Sequence, residues 1–335
     1  MATRTGDMPS TVAGEAGVAY VDGRYLPLGE AAIPIIDWGF IRGDAVYDAI
    51  PFTGGFLFRL SDHVERFGLS MRKWRLHVSL GPDRITAVVH EVVRRSGLRD
   101  GLVLIMATRG VPPSLGIRDP ARFENRFYAF SQVLPPIAAP ERLRDGMSVI
   151  VSRVRRIPET SVDSTAKNFQ WGDFTQARLE ANDRGADNAL LLDHEGNLTE
   201  GPGFNAFVVS GGVLKTPAHH RLEGITRRTV MEIAERAGWL VSETDIPAEE
   251  MKAADEVFLC TSAGGIFPVT EIDGQPVADG GCGEITREVF DQYWRLRVDP
   301  AWAEAVDYAP AANIGPGAGE SGDAGHTAGR KSATG

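Results

Sequence analysis

Lys167 is the residue of this sequence best suited to covalent chemistry. Only five of its 35 Lys and Arg side chains are lysines, and this one lies in DSTAKNFQWGDF, residues 163–174, just before an aromatic-rich helical pattern. A lysine that forms an imine must be partly desolvated so that its neutral amine is available, and arginine cannot replace it because it stays protonated. Phe169, Trp171 and Phe174 could supply the apolar surround. A surface cation ahead of a helix fits the same string.

Four other groups could share a site with it. In LEGITRRTV, Thr226 is placed to cap a helix beginning at Arg227, and the free amides and positive dipole of a helix start attract phosphate. TSAGG, residues 261–265, follows an apolar strand, and its small residues let backbone amides approach a ligand. In LTEGPGFN, Glu200 precedes two glycines and could hold a proton on a ring nitrogen, or be a solvated acid at a turn. Arg59, ending a strand in FLFRLSDH, suits bidentate phosphate contact or an ion pair with Asp62 or Glu65. Together these supply phosphate donors, an imine-forming amine and an acid for a ring nitrogen, the set that pyridoxal phosphate requires. HExxH, Walker A and GxSxG patterns are absent and the histidines lack metal-ligand spacing, so no metal is expected.

These residues need a scaffold, and the patterning describes one. VAYVDGRYLPL alternates around Asp22-Gly23 as a hairpin, and DAVYDAIPFTGGFLFRL gives two strands around Gly54-Gly55. Val64, Phe67, Met71 and Trp74 recur at helical spacing, DRITAVVHEVVRRSG is a second helix, and LVLIMATRG and RFYAFSQVL are buried strands. Residues 17–134 therefore read as an α+β domain with a mostly antiparallel sheet. Residues 135–142 read as a linker, and residues 143–300 as a second, cofactor-binding domain. In it a helix of about Phe169–Arg184 is followed by strands at NALLLD, NAFVVS and GVLKTP, and by a helix at ITRRTVMEIAERAG. The Gly/Ala/Ser-rich residues 309–335 read as a disordered tail.

Composition narrows the function. A net charge of −10 argues against a nucleic-acid surface, two cysteines do not make a disulfide scaffold, and no run is apolar enough to span a membrane. MATRTGDMPS has no apolar signal core, so a cytoplasmic protein is expected.

The ordered strings RLSDHVERF, AKNFQWGD, DNALLLDHEGNLTEGPGFNAFVV, LEGITRRTV and CTSAGGIFPV resemble the class IV aminotransferases, the fold-type IV pyridoxal-phosphate enzymes, over residues 18–297. That family includes branched-chain and D-amino-acid aminotransferases, aminodeoxychorismate lyase and (R)-selective amine transaminases. KNFQWGD, LTEGPGFN and CTSAGGI look most like the last group. The resemblance implies a two-domain α+β fold and Lys167 as the Schiff-base lysine. It pairs Glu200 with the pyridine nitrogen, sets Arg59, Ile225, Thr226 and Ser262 on the phosphate, and packs Leu222 on the ring. Tyr47, Trp171, Thr261 and Ala263 would line the substrate pocket. Many (R)-amine transaminases carry histidine at Arg42 and an arginine at Leu115, so Arg42 or Arg118 becomes a candidate clamp for the acceptor carboxylate. The expected reaction is ping-pong transfer of an amino group from a primary amine, of (R) configuration, to a keto acid such as pyruvate. D-amino-acid or branched-chain L-amino-acid transamination, a lyase of the same fold and a non-catalytic phosphate-binding scaffold are the alternatives. Partners implied by the family are small molecules and a second copy in a homodimer or higher homo-oligomer.

Overall fold

A computed structural model of the chain describes residues 17–134 and 140–309. The first unit starts with a hairpin, β1 (Val18–Val21) and β2 (Arg24–Pro27), then a short helix α1 (Trp38–Arg42). Strand β3 (Ala45–Thr53) turns at two positive-φ glycines, Gly54 and Gly55, into β4 (Phe56–Phe58). Helices α2 (Leu60–Lys73) and α3 (Pro82–Ser96) precede the long strands β5 (Gly101–Val111) and β6 (Glu124–Gln132). All pairings in this sheet are antiparallel. The faces of α2 and α3 that carry Val64, Phe67, Val88, Val89, Val92 and Val93 pack on Ile50, Phe52, Val103 and Ile105. The opposite face of β3 and β5 carries Tyr47, Ala49 and Leu104 and looks into a cavity. Strand alternation thus gives one sheet both a core and a binding wall.

The second unit opens with a short helix α4 (Pro140–Asp145) and strand β7 (Met147–Arg155). Then come α5 (Gly172–Asp183), β8 (Asn188–Leu192), β9 (Glu200–Gly201), β10 (Phe204–Ser210), β11 (Val213–Pro217), α6 (Ile225–Ala237) and β12 (Leu240–Thr244). It closes with α7 (Ala248–Lys252), β13 (Glu256–Thr261), β14 (Gly265–Ile272), β15 (Gln275–Pro276) and α8 (Glu284–Leu296). The main sheet order is β12-β11-β10-β13-β14-β7-β8, with β9 on β10 and β15 on β14. Parallel pairs β11–β12, β14–β7 and β7–β8 mix with antiparallel ones, so strands such as NALLL are buried throughout.

Three boundaries differ from the sequence reading. Pro140–Asp145 is helical, so residues 140–142 belong to the second unit; residues 135–139 lie outside the described residues. The helix expected from Phe169 begins at Gly172, because residues 167–169 pair with β3 instead. A last strand, β16 (Ala303–Ala305), returns to the first sheet beside β4, past the expected boundary at residue 300. The tail expected at 309–335 lies outside the described residues from residue 310 onward. Among the described residues no helix is long and apolar enough to cross a membrane.

Candidate active site

Lys167 is held by its backbone from two sides. Tyr47 N donates to Lys167 O at 3.0 Å, Phe169 N donates to Ala45 O at 3.2 Å, and Asn168 bridges Val46. Lys167 N donates to Ser70 Oγ of α2 at 3.0 Å. Its Nζ lies 4.4 Å from the Tyr47 ring centroid, and the Tyr47 and Phe169 rings are 5.0 Å apart. Burial, and then the Arg66 charge, push the Lys167 ammonium down to about 8, against the opposing pull of Asp48 and Glu200. Burial and the Asp48 charge raise the Tyr47 phenol, so it stays a neutral hydroxyl.

Glu200 lies on β9, which is pinned to β10 through Asn205. Its Oε2 accepts from Leu222 N at 3.0 Å and its Oε1 from Arg156 Nε at 3.1 Å. Arg156 Nη1 donates to Asp173 Oδ2 at 2.6 Å, and its guanidinium lies 4.2 Å from the Phe174 ring centroid. Burial pushes the Glu200 carboxyl up, while Arg156 and the Leu222 amide favour the carboxylate. Asn205 Nδ2 donates to Leu222 O at 3.0 Å, so Leu222 is held at both its amide and its carbonyl.

The third component is the start of α6. Thr226 is not its cap: the helix begins at Ile225 and Gly224 is the N-cap, with no side chain accepting from the first amides. Those amides are therefore open to an anion. A Cβ on Gly224 would lie 1.9 Å from Asn205 Oδ1, so only glycine permits this approach. Thr226 is 2% exposed and its Oγ1 lies 3.4 Å from Ser262 Oγ.

Arg59, expected on the phosphate, lies outside the cavity lining, whereas Arg66, given no role by the sequence reading, is part of it. Arg59 has φ 50° at the N-cap of α2, and its Nη1 and Nη2 donate to Glu232 at 2.7 and 3.1 Å. It also bonds Thr229 Oγ1 at 3.0 Å, pairs with Asp62 and lies over the Trp302 ring. Its donors are taken, and it clamps α2 to α6 rather than lining the cavity. Arg66, two helical turns on, does line it. Asp48 holds Arg66 Nε and Nη2 at 2.9 and 2.8 Å, and Arg66 Nη1 donates to Glu223 O at 3.0 Å, two residues before α6. Burial alone would raise the Asp48 carboxyl, but Arg66 and His63 bring it well below the usual carboxylate range.

These groups converge on one cavity of about 600 Å³. Tyr47, Lys167, Trp171, Glu200 and Leu222 line it, and so do Ile225, Thr226, Thr261, Ser262 and Ala263. Arg66, Arg156 and Asn205 line it too and were missed by sequence reasoning. Three expected pocket residues lie elsewhere. Leu115 is 82% exposed, Arg118 is exposed on the same loop, and Arg42 is exposed with its guanidinium 5.4 Å from the Trp38 ring centroid. None of the three lines the cavity. Away from the cavity, Asp193, Glu195 and His220 bring ligand atoms within 4.8 Å of one another, but Asp193 Oδ1 already accepts the Glu195 and Asn197 amides. The donor set suits a phosphate monoester at one end of the cavity and an aldehyde carbon near Lys167 Nζ.

Comparison with known proteins agrees with that chemistry. Residues 45–272 match the family model for Amino-transferase class IV. Among relatives, a Methanocaldococcus jannaschii protein named "Putative branched-chain-amino-acid aminotransferase" is 32% identical over 83% of this chain and 96% of its own. The D-alanine aminotransferase of Staphylococcus haemolyticus is 27% identical over 83% of this chain and 98% of its own. The branched-chain amino acid aminotransferase from Thermobaculum terrenum, solved in its PLP-bound holo form, superposes with a TM-score of 0.77 at 27% identity, covering 88% of this chain and 99% of that one. The chain belongs to the class IV aminotransferases.

Proposed function

We propose that this aminotransferase uses pyridoxal 5'-phosphate to move the amino group of a primary amine, of (R) configuration, to a keto acid such as pyruvate. The observation that carries the cofactor assignment is Lys167, a half-buried lysine whose ammonium is pushed down to about 8, sharing one cavity with buried Glu200 and the open start of α6. Bound there, the cofactor supplies an aldehyde carbon that takes up the amino group and a conjugated ring that withdraws electrons from the substrate Cα. Ile225 N, Thr226, Ser262 and the two Arg66 N–H groups that Asp48 and Glu223 O leave free would be the donors for its phosphate. The Glu200 carboxyl would hold a proton at the ring nitrogen, with Arg156 and Leu222 N aiming it and favouring its charged form against burial. Lys167 Nζ would be the base for the substrate Cα proton, a role that requires its neutral form. Tyr47 and Phe169 keep water from that amine.

An amine donor is favoured by the cations of the wall. Arg66 is taken by Asp48 and Glu223 O, Arg156 by Glu200 and Asp173, and Arg178 by Asp187 O. Each guanidinium lining the cavity thus already has a protein partner, which leaves less of it for a donor carboxylate, while Ala49, Leu102 and Leu104 give apolar wall. The acceptor carboxylate then relies on the 261–263 turn. The names of the relatives favour a second reading, an amino-acid donor of branched-chain L or of D type. Absorbance of purified protein with and without Lys167→Ala tests the cofactor; a wild type lacking a visible band for a lysine-linked aldehyde overturns the assignment. Turnover of (R)-1-phenylethylamine, D-alanine and L-leucine with pyruvate tests the donor; fast L-leucine and no (R)-amine turnover would exclude the (R)-amine reading. A homodimer belongs to the same proposal, supported by exposed Ile35, Phe40 and Leu115, and is checked by light scattering.

A further inference from the structure

Arg297, just past α8, is 1% exposed and differs from the other buried arginines of this chain. Arg66, Arg156, Arg221 and Arg227 each meet a carboxylate. Arg297 meets none among the described residues. Its Nη2 donates to Thr53 Oγ1 at 2.6 Å and its Nη1 to the Tyr293 hydroxyl at 3.4 Å. Its Nε has no partner, and aromatic faces of Trp294, Phe58 and Tyr293 surround it at 5.1 to 5.8 Å. Burying a cation with only neutral partners is costly, so such a group is normally balanced by an anion.

A path of hydroxyls runs from this cation to the cavity. The Tyr293 hydroxyl lies 3.5 Å from Thr226 Oγ1, and Thr226 Oγ1 lies 3.4 Å from Ser262 Oγ. Thr226 and Ser262 both line the cavity. We propose that Arg297 is a positioning residue of the anion cradle: its guanidinium donates to the Tyr293 oxygen, Tyr293 donates to Thr226 Oγ1, and the Thr226 proton is thereby turned toward a phosphate. The phosphate supplies the countercharge that the protein withholds. This rests on the cavity being the site of a phosphate-bearing cofactor.

The test is titration of full-length wild type, Arg297→Met and Tyr293→Phe, each freed of cofactor, with pyridoxal phosphate, pyridoxal and inorganic phosphate. Both variants are expected to bind pyridoxal phosphate and inorganic phosphate about ten-fold more weakly, the order of one charge-assisted hydrogen bond, with pyridoxal unchanged. The Arg297→Met protein should melt at the wild-type temperature or above, because it loses an unbalanced buried charge. Equal weakening of pyridoxal and pyridoxal phosphate, or no weakening of either, overturns the relay. If Arg297→Met does not fold, Tyr293→Phe decides, since it keeps the ring and removes only the hydroxyl. A wild type that binds pyridoxal phosphate no better than pyridoxal overturns the relay together with the phosphate site beneath it.

Discussion

Replacing Lys167 with methionine should stabilise the cofactor-free protein at pH 7, and the gain should vanish in alkali. Burial and Arg66 bring the Lys167 ammonium from 10.5 down to about 8, while the unfolded chain keeps the ordinary lysine value. Below pH 8 both states carry the proton, and the folded state bears the whole cost of a charged amine beside Arg66. Between pH 8 and 10.5 folding releases that proton, so wild-type stability rises with pH across this window. The shift corresponds to at most about 3 kcal/mol, less whatever solvent in the cavity relieves. Methionine keeps the length of the side chain and removes the charge. Urea unfolding of both cofactor-free proteins from pH 7 to pH 10 should therefore show curves that converge as pH rises. Curves that run parallel would refute the claim that this amine is held near neutrality by its surroundings. The same property serves the reaction, since at pH 7 about one amine in ten is already neutral, against a vanishing fraction for an exposed lysine.

Other perturbations separate the remaining roles. Glu200→Gln keeps the shape but removes the anion beneath the ring nitrogen, and kcat/KM should fall by about 10²–10⁴, the range for a positioned acid or base, in steady-state assays. Arg59→Met should lower the melting temperature while leaving affinity for pyridoxal phosphate unchanged, whereas Arg66→Met should weaken that affinity about ten-fold or more by equilibrium titration; the reverse pattern would reinstate Arg59 as the phosphate ligand. Gly224→Ala places a Cβ against Asn205 Oδ1, so it should disturb the start of α6 and weaken binding of inorganic phosphate measured by calorimetry.

The sequence carried some of this site and hid the rest for definable reasons. Lys167 and Glu200 stand in strings whose neighbours constrain them, so their place in one cavity could be anticipated. Arg59 and Arg66 are seven residues apart, two turns of one helix, and nothing in their immediate neighbours separates them. Which guanidinium reaches the cavity depends on where α2 lies against the loop before α6, a contact between segments 157 residues apart. Arg156 is one of three arginines in RVRR, and nothing local marks it as the partner of Glu200. The sequence reading places the start of α6 two residues late, at Arg227 instead of Ile225, because a glycine N-cap leaves no side-chain signature, and Gly224 owes its place to Asn205. The strands of the first sheet were legible from alternation and turn glycines, whereas β16 is three residues long and makes sense only beside β4.

That last pairing bears on how the enzyme is born. Strand β4 is made early, but its partner β16 and Trp302, whose carbonyl accepts from Arg59 N at 2.8 Å, emerge from the ribosome only after nearly the whole described chain has been synthesised. Until then one edge of the first sheet stays open and Arg59 lacks its aromatic cover. The first sheet therefore gains this edge strand only after the strands of the second unit have been made. The edge of the first sheet is thus closed by chain that follows the second sheet, which ties completion of the first unit to the presence of the second.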